Sequence, residues 1–177
     1  GNGVFVADIR LPGMLEVAFV RSPHGHATFS SIDTSAALAL PGVHAVYTYA
    51  DVVRTLTSDH IPPDQVVDSF PTTTWPYILP ADEVCFVGEA VAAVVADSRY
   101  IAEDAAELID VEYESLPAAV DSEKMIDEDQ PLVHPDHGSN VLFRKTWQWG
   151  PVADDFAAMP NTISYRARWG RSSTVPI

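Results

Sequence analysis

Apolar and polar positions alternate over residues 14–20, where Leu15, Val17 and Phe19 are set against Glu16, Ala18 and Val20; this period of two predicts a strand. A polar loop, Arg21-Ser22-Pro23-His24-Gly25-His26, follows, and residues 27–32 read as a second short strand. Asp33, Thr34 and Ser35 offer oxygen acceptors to the orphan amides of a helix start. Residues 36–40 form that helix, and Pro41-Gly42 ends it, since Pro cannot continue the ladder and Gly accepts a left-handed cap. Residues 43–49, rich in β-branched and aromatic side chains, return as a strand.

Periodicity then fades over residues 51–83, where Pro62, Pro63, Pro71, Pro76 and Pro80 each remove a backbone donor and restrict the residue before them. A long irregular connection is expected there, packed or in contact with a partner. Residues 85–96 are the clearest core element, an almost unbroken apolar run suited to a strand covered on both faces. Gly88 within it marks a bulge or a close backbone approach. Asp97-Ser98 caps the principal helix, 98–109, in which Ile101, Ala105, Leu108 and Ile109 recur at helical spacing opposite Glu103, Asp104 and Glu107. Residues 110–115 alternate as a strand, so strand, helix and strand read as a crossover that packs one helix on a sheet. One helical turn is expected within 121–129, a loop at 134–138, alternating strands at 140–149 and 163–169, and a short helix at 154–159.

The 177 residues, 47% apolar and 20% charged, suffice for one folded core. The longest uncharged apolar run, 90–96, is far short of the roughly 20 residues that span a bilayer, so no membrane span is expected. No signal peptide is read at the N-terminus. A single cysteine, Cys85, rules out an internal disulfide framework and fits a reducing, cytoplasmic setting. The net charge of −15 argues against nucleic acid as a partner. Charge is also uneven: nine acidic residues and one basic residue, Lys124, lie between Asp110 and His137, whereas the stretch from Arg144 onward has five basic and two acidic. That asymmetry reads as a solvated acidic edge, or as a basic C-terminal strand facing another surface.

Few side chains suggest chemistry. His24 and His26 would share a face on a strand, within reach of one metal ion, but no third ligand is identified; His134 and His137, with Asp136 between them, lie in another loop. The alternative is that His24 and Arg21 bond to backbone in a tight loop. Cys85 has Glu83, Val84 and Phe86 as near neighbours, none of them electropositive, and reads as a buried structural thiol. Asp127, Glu128 and Asp129 read as a solvated run. No nucleophile elbow, phosphate loop, dinucleotide fingerprint or Cys-x-x-Cys is present. Trp147, Trp149 and Trp169 lie near Arg144, Arg166, Arg168 and Arg171, a pairing found at protein interfaces.

Two blocks carry a resemblance. Leu11-Pro12-Gly13-Met14-Leu15, Ala18 to Ala27 and Ile32 to Val43 form the first; Phe86 to Ala96, Ala105-Ala106 and Val111 to Pro117 form the second. Together they resemble the opening module of the molybdenum hydroxylase large subunits, the xanthine dehydrogenase, aldehyde oxidase and aerobic carbon monoxide dehydrogenase family, over about residues 1–170. The resemblance implies an α/β-hammerhead domain that packs among the molybdenum-cofactor domains and an iron–sulfur domain or subunit. It implies a parent enzyme that oxidises a small organic substrate or CO with molybdopterin cytosine dinucleotide, and with [2Fe–2S] clusters and FAD on partner domains or subunits. The family's cofactor-contacting loops and catalytic glutamate are not found in this chain, so no catalytic, cofactor-binding or metal-binding residue is carried over. Pro151 departs from the Asp usual in the matching family segment.

The expected fold is α+β: a curved mixed sheet with one main helix and one smaller one. Residues 1–140 would form the hammerhead domain and 141–177 extended C-terminal strands leading toward a molybdenum-cofactor domain. Arg21, His24, His26, Trp147, Trp149, Arg166 and Arg168 are the candidate domain-interface residues. The function expected is a structural and interface module, not catalytic alone. The alternatives are a free-standing interaction domain without redox chemistry and a small metal-dependent hydrolase using His24 and His26.

Overall fold

Strands β1 (Glu16–Arg21), β2 (Ala27–Asp33), β3 (Val43–Tyr47), β4 (Glu83–Val84), β5 (Ala90–Ala96) and β6 (Asp110–Ser115) build two three-stranded sheets in a computed structural model of the chain. It describes residues 3–62, 71–127 and 129–168. Helices α1 (Ser35–Ala39), α2 (Tyr49–Thr55), α3 (Arg99–Glu107) and α4 (Val152–Ala158) accompany them, with short 3-10 turns at Val6–Asp8, Thr72–Thr74 and Pro135–His137. The chain divides into two compact units, Gly1–Phe143 and Arg144–Ile177.

The α+β class holds, but the single mixed sheet resolves into two, with orders β1-β5-β3 and β4-β2-β6 and antiparallel pairing throughout. Odd-numbered strands lie in the first sheet and even-numbered strands in the second. Every connection between consecutive strands therefore crosses from one sheet to the other. The expected crossover 85–115 follows suit: α3 links β5 of the first sheet to β6 of the second, rather than two strands of one sheet.

The core follows from β5. Ala92, Val94 and Ala96 point to one side and are fully buried; Val94 and Ala92 pack with Ala37 of α1 and Ala105 of α3, and with Ile109. Alanines at 37, 102 and 105 let both helices lie close against the sheet. A second cluster, Ala27, Phe29, Val84 and Val91, fills the space under the second sheet. Val20, Ile32 and Val111 pack against both clusters and make them continuous.

Local signals explain the ends. Asp33 Oδ1 accepts the Ser35 amide at 2.9 Å, and Gly42, with φ +92°, turns the chain out of α1. Ser98 caps α3 by accepting the Ile101 amide at 3.3 Å. Helix α2 lies in the stretch expected to be irregular. Thr48 N donates to Asp51 Oδ2 at 2.9 Å in a capping box, a signal written in Thr48-x-x-Asp51. The expected strand 85–96 is broken into β4 and β5. Gly88, with φ +90°, reverses the chain between them, and Cys85 to Val87 are not strand. Lys124 and Met125 both donate to the Asp121 carbonyl, giving the one turn expected at 121–129; Glu128 lies outside the described residues.

In the second unit, α4 takes the place of the short helix expected at 154–159, beginning two residues earlier at Val152. The alternating stretches 141–149 and 163–168 form no strand among the described residues, and Trp169 and Arg171 lie outside them. Alternation states which side chains could share a face; a strand also needs a second strand to take its amides and carbonyls.

Candidate functional site

The loop between β1 and β2 crosses from one sheet to the other, and so does the turn between β4 and β5. The two crossings are clasped together. Ser22 N donates to the Glu89 carbonyl at 2.9 Å, and Gly88 N donates to the Ser22 carbonyl at 2.8 Å. The Arg21 guanidinium, 5.3 Å from the Phe19 ring centroid, donates to the Gly88 carbonyl at 2.8 Å. Ser22, buried, closes its own loop by accepting the His24 amide at 3.0 Å.

His24 and His26 do not converge on a common point. The His24 ring leans on Tyr113, with centroids 4.9 Å apart, and its Nδ1 lies 3.1 Å from Ser115 Oγ. His26 is 8% exposed, with Nδ1 2.9 Å from the Pro117 carbonyl and Nε2 2.6 Å from Glu83 Oε1. Both of its nitrogens are engaged within the chain, so its ring ties the β2 start to the ends of β4 and β6. Burial opposes charging of His26, but the hydrogen bonds to Glu83 and Pro117 outweigh it and raise its pKa.

Glu83 also lines a cleft of about 400 Å³, together with Trp75, Tyr77, Cys85, Glu89 and His134. Glu89 is buried and accepts the Cys85 amide at 2.6 Å. Burial nevertheless holds its carboxyl above the ordinary range, against the pull of the Cys85 and Phe86 amides. Cys85 is partly rather than fully buried, and burial, with Glu89 and Glu83 beside it, pushes its thiol up to about 12, which favours the protonated form. His134 is lowered, first by burial. The Trp75 indole N–H is buried without a partner.

The sequence pattern did not single out Glu83, Glu89, Trp75 or Tyr113. Glu89 had a legible sign, a carboxylate directly after Gly88 at the head of an apolar run; the others depend on long-range contacts. Trp147, Trp149, Arg166 and Arg168 belong to the second unit and are exposed. There the cation over Trp147 is Lys145, 5.5 Å from the ring centroid. Among the described residues, no three His, Cys, Asp or Glu side chains are placed to hold a metal ion. An iron–sulfur cluster is held by several cysteine thiolates, and this chain carries one cysteine, Cys85. No helix among the described residues is long and apolar enough to cross a membrane.

Comparison with known proteins agrees with the geometry. The chain is 42% identical over 157 residues to the carbon monoxide dehydrogenase large chain of Afipia carboxidovorans, covering 84% of this chain and 18% of that one. It is 36% identical over 177 residues to the nicotine 6-hydroxylase large subunit of Paenarthrobacter nicotinovorans, covering all of this chain and 21% of that subunit. Among solved structures, quinoline 2-oxidoreductase from Pseudomonas putida 86 matches with TM-score 0.76 and 43% identity, over 89% of this chain and 20% of that one. The Cu,Mo-CO dehydrogenase in its carbon monoxide reduced state matches with TM-score 0.65 and 43% identity, over 79% of this chain and 17% of that one. The chain thus spans about one-fifth of the length of these relatives. Residues 1–117 match the family model described as aldehyde oxidase and xanthine dehydrogenase, a/b hammerhead domain, and the chain belongs to that family.

Proposed function

We propose that this chain is the hammerhead module of a molybdopterin-dependent hydroxylase or dehydrogenase, acting as scaffold and interface while the redox chemistry proceeds on other parts of the enzyme. One observation carries the reading: a family match over two-thirds of the chain, to relatives of which the chain is one-fifth. In this reading the parent enzyme is cytoplasmic and takes a small organic substrate or CO. Molybdopterin cytosine dinucleotide, [2Fe–2S] clusters and FAD reside on the partner domains or subunits. Arg21, His24, Trp147, Trp149, Arg166 and Arg168 serve as contact residues toward those partners, and His26 holds the loop that presents Arg21 and His24. The expected segments 1–140 and 141–177 divide the labour in this reading, the first as scaffold and the second as the connection toward the cofactor domain.

The test is turnover. The purified 177-residue chain is assayed with artificial electron acceptors against aldehydes, N-heterocycles and CO, beside the full enzyme from the source organism. The full enzyme turns over and contains molybdenum; the chain alone does neither. Turnover by the chain alone would overturn the proposal.

A further inference from the structure

His26 stands between two groups that only accept hydrogen bonds, the Pro117 carbonyl 2.9 Å from Nδ1 and Glu83 Oε1 2.6 Å from Nε2. A neutral imidazole has one N–H and one lone pair, so it donates to one of them and turns its lone pair on the other. An imidazolium has two N–H groups and donates to both. The pair therefore holds one proton more than a neutral imidazole beside a carboxylate. Imidazole is the stronger base by about two pKa units, so that proton sits on Nε2. The raised pKa of His26 agrees with this count. Among neighbouring groups, His134 feels the charges of both Glu83 and His26, but burial lowers it, so it is neutral where His26 titrates. Glu89 and Cys85 lie within reach of the Glu83 charge. The segment after β6 faces the ring with the Pro117 carbonyl.

What the proton holds in place is β4. That strand has two residues, Glu83 and Val84, set against Thr28 and Ala27 at the start of β2. Just before it, the Asp82 carbonyl accepts the Phe29 amide at 2.7 Å. On a ladder this short, the side-chain bond from His26 to Glu83 is a main tether. Without the second proton, two acceptors face each other at 2.6 Å on a residue only 8% exposed, where water has little room to come between them. We propose that His26 and Glu83 form a proton-operated latch: the doubly protonated ring holds β4 on β2, and loss of one proton releases β4. Glu83 and Cys85, on the wall of the cleft, move with it. The latch involves residues of this chain alone and stands apart from the module reading.

The test is hydrogen–deuterium exchange of the native protein purified from its source organism, between pH 6 and 10, with labelling times scaled to the intrinsic rate at each pH. The reporter is the Phe29 amide, bonded to Asp82, and the control is Val94 in the middle of β5. Protection of Phe29 is expected to fall about tenfold, the effect of one buried unpaired acceptor, with a midpoint above 6.5, while Val94 holds. Glu83→Gln separates the latch from packing. The Gln amide donates to the lone pair of a neutral imidazole, so both ring bonds form without the extra proton and the pH dependence disappears. His26→Gln, with no proton to lose in this range, is the second variant, and its Phe29 profile is also level. A level profile in the unsubstituted protein overturns the proposal, and so does an undiminished fall in either variant. A fall shared by Val94 is general unfolding and overturns it as well.

Discussion

Replacing Val94 by Ala probes the two-sided character of β5. Val94 is fully buried between Ala37, Ala92, Ala105 and Ile109. The substitution removes two methyl groups, each contributing about 0.8 kcal/mol of transfer free energy. The buried neighbours are three alanines and Ile109, held on a paired strand and beside two short helices, so the gap closes only in part. The cavity therefore adds roughly 1 kcal/mol, for a total of about 2.5 kcal/mol. For a chain of this length the melting temperature falls by roughly 5–10 °C. Urea unfolding of the 177-residue chain followed by far-ultraviolet circular dichroism reads the same loss. With a slope of about 2 kcal/mol/M, the midpoint drops by about 1.2 M while the slope stays constant. Val95→Ala is the matched control. It removes the same atoms one residue further on, from the opposite, partly exposed face, and costs about 1 kcal/mol. Equal losses at 94 and 95 would refute the assignment of a buried and an open face.

Gly42 has φ +92°, and a Cβ there would sit 2.9 Å from Ile101 Cδ1; Gly13 has φ +76° and open space around it. Gly13→Ala is expected to cost about 1 kcal/mol of backbone strain and Gly42→Ala about 2–3 kcal/mol, measured by the same urea titration. The raised pKa of His26 contributes stability that is fully present below the unfolded value of 6.5 and lost as pH rises through the folded value. Thermal melts from pH 5.5 to 8.5 should therefore show a decline that His26→Gln flattens; an equal decline in both proteins would assign it to other groups. With its thiol pushed from 9.0 to about 12, Cys85 holds about a thousandfold less thiolate at pH 7. Greater nucleophilicity recovers only part of this, so Cys85 should react with iodoacetamide about 30-fold more slowly than in the urea-unfolded chain. Labelling at the unfolded rate would show an accessible, ordinary thiol.

The elements that face the core on one side were legible in the sequence. Strands β1, β2, β3 and β6 and helix α3 announce themselves because burial on one side imposes a period of two or 3.6. What failed were features whose cause lies elsewhere in the chain. The run from Cys85 to Ala96 is apolar but for Glu89, so its pattern does not reveal the reversal at Gly88 that sends its two halves to different sheets. The alternation after Asn140 is as regular as that of β1, yet β1 becomes a strand because β5 pairs with it. Helix α2 was overlooked because nearby prolines outweighed a short capping signal. At the candidate site, the His24 and His26 pair was visible, but their partners were not. Glu83, Ser115 and Pro117 lie 57 to 91 residues away, and only the folded chain brings them to the imidazoles.

The alternation of strands between sheets has a consequence for synthesis on the ribosome. The middle strand of the first sheet is β5, so β1 and β3 leave the exit tunnel with no neighbour to hydrogen-bond. Val17 waits for Val95, about 80 residues later, which at translation speeds of about 5–20 residues per second means roughly 4–16 s. Throughout that interval the Val-Ala-Phe-Val segment of β1 is an unpaired, aggregation-prone edge on the nascent polypeptide, and chaperone binding there would be timed to end as β5 emerges.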